Sequence, residues 1–510
     1  MSCEQSADLE GFVRRSEELA DRIIHARCVE IVSHIDADGI TSGAIAKRAL
    51  KRAGIKTRVH FVKSLGENEV KHINSCQAEL VWLTDLGSGY TSVLKHAGLM
   101  IADHHVPESM NLPEASKKRT LFDYDEQRFH LNPHLFGFDG TKELSGAGAA
   151  YFVAKAMSPA NMDLSPLAIV GAVGDFQDNQ NNRLVGLNSI IKDDAVGGGW
   201  IECVEDDLRL FGKETRPLAK MLQYASDPVL PGLSNDWQGC LEFLRDECRL
   251  KLRDRNDKLR CWSDLDDQER SKVIEGLKIR LGECGSLESM QRLCGEVYLL
   301  SNERKGTPLR EAKEYATLLN SCGRYGNADI GLKVCLGDRG EEKEKALEQL
   351  QNHRGLLVNA MNYLLQGKKK EEICERMASI QVLLGDNGYL LPEKVERKGA
   401  NGELFMSELL RDTNVGIVAG MVLGSGKVNG DVPLIAMIGS EDSKVKVSAR
   451  GNQAMLGRGL DLSKAMKNAA ARVGGIGGGH DIAAGATIPP GTEKEFLAEL
   501  DRLIGEQLRP

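Results

Sequence analysis

The chain has 510 residues, 41% apolar and 27% charged, a balance that excludes a wholly disordered or fibrous protein. Its length exceeds what one hydrophobic core usually serves, so two or three domains are expected. A formal net charge of −8 argues against indiscriminate binding to nucleic acid, and 12 cysteines without a C-x-x-C pair argue against a zinc ribbon or a disulfide framework.

Residues 28–34 (CVEIVSH), 79–85 (ELVWLTD) and 98–103 (GLMIAD) are short apolar runs that each end at a polar cluster, with helix-like stretches such as 42–53 between them. Alternating strands and helices predict a parallel sheet in an α/β domain over 1–195, with any ligand at the carboxyl ends of the strands. After Gly197, Gly198 and Gly199 the texture changes. Densely charged runs with leucines at helical spacing (241–280 and 341–378) predict a mainly helical region over 196–397. A glycine-containing turn at 398–402 then opens a smaller α/β domain over 398–510. No stretch is apolar enough to span a bilayer and the N-terminal segment has no apolar leader core, so a cytoplasmic protein without a membrane partner is expected.

Four acidic motifs punctuate the first region: Asp36-Ala37-Asp38-Gly39 preceded by His34, Thr84-Asp85-Leu86-Gly87, Asp103-His104-His105, and Gly174-Asp175. Aspartates at i and i+2 in extended chain would point the same way and repel unless a cation separates them. Oxygen-rich ligation with one or two imidazoles suits Mn²⁺ or Mg²⁺ better than structural zinc. Near the other end, the basic stretch 444–472 contains Ser448-x-Arg450, and Gly477-Gly478-Gly479-His480 follows it. A glycine run lets backbone N–H groups approach a phosphate, and a neighbouring arginine adds a bidentate partner.

In this order, the four motifs resemble the signature of the DHH phosphoesterases. His130-Leu131-Asn132-Pro133 and Ser145-Gly146-Ala147-Gly148 resemble stretches of the archaeal RecJ-like single-strand nucleases, and the Ser448 to His480 segments resemble the DHH-associated domain. The resemblance implies a DHH catalytic domain, a helical insertion and a substrate-binding DHH-associated domain. It also implies two divalent cations, Mn²⁺ with Mg²⁺ as the alternative, held by Asp36, Asp38, Asp85, His104 and Asp175, with Asp85 as bridge. His34 either joins the ligands or orients one through a hydrogen bond. His105 would face the scissile phosphate and Asp103 would orient a neighbouring imidazole. Ser448, Arg450, Gly477, Gly478, Gly479 and His480 would hold substrate phosphates across a cleft from the cations. The implied activity is in-line hydrolysis of single-stranded DNA or RNA from an end, without a nucleophilic Ser or Cys. Two other readings stand beside it: a phosphodiesterase for dinucleotides, cyclic dinucleotides or nucleoside bisphosphates, and a replisome scaffold with a GINS-type partner. The run 314–324 (EYATLLNSCGR) also resembles archaeal RecJ-like proteins and is read as a packed helix ending at Gly323.

Overall fold

The structure is a computed structural model that describes residues 7–111, 129–179, 181–225, 227–285, 287–386, 388–398, 404–439 and 443–508. The turn expected at 398–402 lies, apart from Lys398, outside the described residues. Among the described residues, no helix is long and apolar enough to cross a membrane.

The chain forms two compact units, Met1–Leu350 and Gln351–Pro510. In the first, β1 (Cys28–His34), β2 (Lys56–Val62), β3 (Leu80–Thr84), β4 (Leu99–Ala102) and β5 (His130–Leu131) form an all-parallel sheet in the order β2-β1-β3-β4-β5. The inner strands are buried except at some ends, which is why they read as apolar runs, whereas the edge strand β2 alternates exposed and half-buried residues over most of its length. The order reverses between β1 and β3. That reversal opens a crevice at the carboxyl ends of these two strands, where ligands bind in open α/β sheets.

Helix α1 (Leu9–Ile24) opens the chain, and α2 (Ala37–Arg52) follows β1. α2 is rich in Ala and Gly on its buried positions and packs closely against α3 (Gly146–Met157) and α4 (Ser165–Gly174). Further on, β6 (Ile201–Leu208) pairs antiparallel with β7 (Cys294–Leu300), and the residues between them form their own core from Leu208 to Leu293. This segment is less helical than its leucine spacing predicts. Among the described residues α5 (Asp267–Glu283) is the one long helix there, whereas 248–261 is irregular chain with an Arg253↔Leu259 bridge. Its leucines are spaced by burial in a small core, which mimics a helical period.

The unit boundary also differs from the boundaries expected at 195/196 and 397/398. α6 (Ala312–Arg324) and α7 (Ala328–Cys335) bury Ala312, Tyr315, Leu318, Leu319 and Leu332 in the same core as β1 and α2, so they belong to the first unit. In the second unit, β8 (Cys374–Arg376), β9 (Gln381–Leu383), β10 (Leu434–Gly439), β11 (Val445–Arg450), β12 (Ile476–His480) and β13 (Ala483–Ile488) run in the order β12-β13-β11-β10-β9-β8. Helices α8 (Val415–Gly424), α9 (Leu462–Arg472) and α10 (Glu493–Gln507) contribute to its core. Both units are thus mixed α/β.

Candidate metal centre and phosphate surface

The first acidic motif straddles the end of β1 and the start of α2. Asp36 is the N-cap of α2, its Oδ1 accepting from Gly39 N at 2.9 Å, and Asp38 sits in the first helical turn. The two carboxylates therefore do not share one side of an extended chain, as their spacing predicts; the helix begins one residue after Asp36 and carries Asp38 round to a second position. Gly39 is required by close approach, since a Cβ there would overlap the His34 carbonyl. Ser33 Oγ donates to Gly39 O at 2.7 Å and accepts from Thr84 Oγ1 at 2.8 Å, tying the first motif to the second.

Asp85 has φ +58°, a left-handed conformation that Asp tolerates better than most residues. A Cβ on Gly146 would stand 2.5 Å from Asp85 Cβ, which explains the glycine that follows Ser145. The N-terminus of α3 is aimed at Asp38: Gly146 N and Ala147 N donate to its two oxygens at 2.6 and 2.9 Å. His104 Nδ1 lies 2.7 Å from Gly140 O, which makes Nδ1 the donor and leaves the Nε2 lone pair for a ligand. Nε2 lies 3.3 Å from Asp85 Oδ1, 3.2 Å from Asp175 Oδ2 and 3.8 Å from Asp38 Oδ2. On the other side, His34 Nδ1 is 2.9 Å from Asp36 Oδ2 and 3.7 Å from Asp85 Oδ2.

Among the described residues the site forms three overlapping groups, His34/Asp36/Asp85, Asp38/His104/Asp175 and Asp85/Asp103/His104/His105, and Asp85 reaches all of them. Both Asp85 oxygens and His104 Nε2 are buried without a well-formed hydrogen bond. Burial, followed by Asp38 and Asp36, holds the Asp85 carboxyl well above its usual range, and burial with Asp175 raises Asp38 to about 6. For His34, burial is outweighed by Asp36 and Asp175, which raise it to about 9. Buried carboxylates that repel one another, with oxygens lacking donors, are the arrangement a divalent cation satisfies. The residues present fit such an ion.

Asp103 comes within reach of Asp85, His104 and His105, but its oxygens are already taken up by hydrogen bonds. It accepts from Ser88 N at 2.9 Å, His104 N at 2.8 Å and His105 N at 3.2 Å, and its Oδ1 is 2.8 Å from His105 Nδ1. His105 and the neighbouring imidazole of His104 outweigh burial and keep Asp103 ionised. The exposed His105 ring is therefore held through Nδ1, and its Nε2 meets no partner among the described residues. Asn132 fixes the same loop, donating to Ser88 Oγ and to His105 O at 2.8 Å each, and the buried His130 meets Ser88 Oγ at 2.8 Å.

Several contributors were not legible in the motifs. Gln177, buried, donates to Gly140 O and Leu144 O at 3.0 and 3.1 Å and so braces the carbonyl that orients His104. From α6, Asn320 Oδ1 accepts from Ala37 N at 2.9 Å, Gly323 lies against the Ile35 carbonyl, and Arg324 feels the charge of Asp36. α6 continues through Arg324, one residue beyond the expected end at Gly323. The resemblance of 314–324 to RecJ-like chains gave the only sequence signal for this contact, more than 280 residues along the chain from Ala37.

In the second unit, Arg450 on β11 and His480 on β12 both pair with Ala483 on β13, and Ser448 and Gly478 both pair with Gly485. Residues in register and two apart share a sheet face, so Ser448, Arg450, Gly478 and His480 stand on one face. At Gly478 that face is open, with nothing within 4 Å of a Cβ built there, whereas Ser448 is buried and Arg450 lies against Gly416 of α8. Gly477 and Gly479 do different work: Gly477 lies against Met466 O of α9, and Gly479, at φ +137°, lies against Ala484 of β13. Lys446, two residues before Ser448, joins the same face, its Nζ 3.7 Å from where a Gly485 Cβ would be.

Comparison with known proteins places this geometry. Residues 210–293 match the DHH-CID domain family and 402–506 the DHHA1 domain family. An uncharacterized protein of Methanocaldococcus jannaschii is 29% identical over 508 residues, covering 98% of this chain and 99% of that protein. Crystal structures of CDC45 from Entamoeba histolytica (TM-score 0.60, 11% identity, 97% of this chain and 99% of that one) and of RecJ from Thermus thermophilus in complex with Mn²⁺ (TM-score 0.52, 15% identity, 98% of this chain) share the fold. The chain spans 56% of the length of that RecJ. By these matches the chain carries a DHH-CID and a DHHA1 domain, and its fold resembles those of RecJ and CDC45.

Proposed function

We propose that the protein is a phosphodiesterase that uses two divalent cations, Mn²⁺ for preference, and removes nucleotides from an end of single-stranded DNA or RNA. The observation that carries this reading is Asp85, whose two unpartnered oxygens stand between His34/Asp36 and Asp38/His104/Asp175. His34, Asp36, Asp38, Asp85, His104 and Asp175 would hold the cations. When bound, these supply Lewis-acid charge to phosphoryl oxygens and make water a competent nucleophile at neutral pH. His105, fixed by Asp103 through Nδ1, hydrogen-bonds or protonates a phosphate oxygen. Arg324 adds fixed positive charge beside Asp36. Ser448, Arg450, Gly478 and His480 form a phosphate-binding face of the second unit, while Gly477 and Gly479 let β12 pack closely enough to form that face.

The matched fold of CDC45 keeps a second reading in view, a replisome scaffold with a GINS-type partner. A scaffold has no use for a carboxylate cluster with orphaned oxygens, which favours the hydrolase. Digestion of end-labelled DNA and RNA oligomers of graded length with Mn²⁺, Mg²⁺ or chelator tests both. Metal-dependent release of mononucleotides from long strands is expected. Cleavage confined to dinucleotides would move the substrate to the small class, and no cleavage with any metal would sink the enzyme.

Arg450→Ala tests the second face separately. We expect KM to rise for oligonucleotides with saturated turnover nearly intact, because uniform binding is lost. The salt slope of binding should flatten by about 0.7 for one lost contact to a single-strand phosphate. Unchanged affinity and slope by fluorescence titration at several salt concentrations would remove Arg450 from the binding surface.

A further inference from the structure

Phe176, the residue directly after Asp175, is out of place by two independent measures. Its φ of +58° is a backbone state that bulky L residues rarely adopt. It is also 64% exposed, and its ring makes no aromatic or cation–π contact among the described residues. A turn needing only this φ would use Gly or Asn, and a residue needing only apolar cover would be buried.

The surrounding chain is not loose. Phe176 N donates to Val173 O and its carbonyl accepts from Asn179 N, both at 3.1 Å, while Gln177 N donates to Ala172 O at 3.0 Å. Gln177 is anchored by Asn188 Nδ2 at 2.6 Å, and Asp178 is paired with Arg209 at 2.5 Å with both side chains nearly buried. Buried polar groups on the C-terminal side and the end of α4 on the other fix the strained residue between them. Strain held by neighbours, with the side chain left in solvent, is a pattern of functional positions. One peptide unit away is a carboxylate of the candidate metal centre.

We propose that Phe176 is a stacking platform for the base of the nucleotide whose phosphate is engaged at the metal centre beside Asp175, which makes the site select nucleotides over bare phosphodiesters. This rests on the phosphodiesterase reading and adds the recognition of a base to it. Aromatic stacking is sequence-tolerant because every base has a π-face, so a chain with few aromatics needs only one at the reacting nucleotide. A fixed ring also loses little conformational freedom on binding.

The test uses the full chain with Mn²⁺ and two substrates, a short single-stranded oligonucleotide and the same strand with abasic residues at both ends. Phe176→Ala should raise KM for the intact strand about tenfold or more, leave KM for the abasic strand unchanged, and be rescued by Phe176→Tyr. Phe176→Gly should bind the intact strand as poorly as Phe176→Ala while its melting temperature stays level or rises, because the backbone strain is relieved. Equal KM increases on both substrates, or a lower melting temperature for Phe176→Gly with unchanged KM, would make Phe176 structural and overturn the proposal. If the unmutated protein cuts both strands, the hydrolase reading stands whatever Phe176 does. If it cuts neither, that reading fails, and anisotropy with the same labelled strands decides the platform: preference for the intact strand, abolished in Phe176→Ala, supports it, and equal affinity overturns it.

Discussion

Asp85→Asn is expected to reduce metal-dependent hydrolysis more than about 100-fold, since groups that merely orient metal ligands already contribute 10- to 100-fold. Without added metal the variant should melt no lower than the unmutated protein. Asn is the substitution of choice because it tolerates φ +58°, where Ala would add backbone strain. Removing one negative charge from a buried group that burial, Asp38 and Asp36 disfavour more than His104 favours it relieves net repulsion. What the variant gives up in the metal-free protein is the attraction to His104 Nε2, 3.3 Å from Oδ1, which those repulsions outweigh. Saturating Mn²⁺ should stabilise the unmutated protein by about 2.7 kcal/mol at one hundred times its dissociation constant, and the variant by much less. Turnover, and thermal melting with and without Mn²⁺, separate the cases. Undiminished turnover by the folded variant, or an equal Mn²⁺ shift, would remove Asp85 from the centre.

The parallel sheet and its three acidic strand ends were readable because a buried parallel strand is a local apolar run and its end is a local polarity change. Where the reading depended on exact helix starts it failed: D-x-D spacing cannot tell that Asp36 caps α2 while Asp38 lies inside it. The role of His34 was open in the sequence because its sidedness depends on β3, which carries Asp85 from 51 residues away; the structure brings His34 within reach of both Asp36 and Asp85. The glycine run read as a uniform phosphate cradle, whereas β-pairing assigns Gly478 to the open face and Gly477 and Gly479 to packing. The leucines of 241–280 misled because a small irregular core can place apolar residues at helical intervals. Phe176 gave no signal at all, since a positive φ on an aromatic has no sequence signature.

Gly323→Ala is the sharper test of how far the centre extends beyond its ligands. By helix propensity alone the change should stabilise α6 by about 1 kcal/mol, because Gly323 lies inside the helix and is not among the positive-φ glycines. Its surroundings reverse that expectation for function. A Cβ at Gly323 would overlap the Ile35 carbonyl oxygen, a backbone atom on the two-peptide link between His34 and Asp36. That link has little room to yield, because Asn320 Oδ1 holds Ala37 N at 2.9 Å and Asp36 caps α2. The added methyl must push Ile35, and with it His34 and Asp36, off their present positions. Catalytic groups displaced by about 1 Å lose about 100-fold in rate. Overpacking costs of about 1–3 kcal/mol are partly offset by the helix gain, so the fold should survive with a modest fall in melting temperature. Gly282→Ala in α5 is the matched control: it too is helical, but nothing lies within 4 Å of its added Cβ, so stability should hold or rise with activity unchanged. A Gly323→Ala protein that turns over as fast as the control would show that α6 only packs against the acidic loop, whereas loss of kcat in a folded protein would make this helix part of what positions the metal ligands.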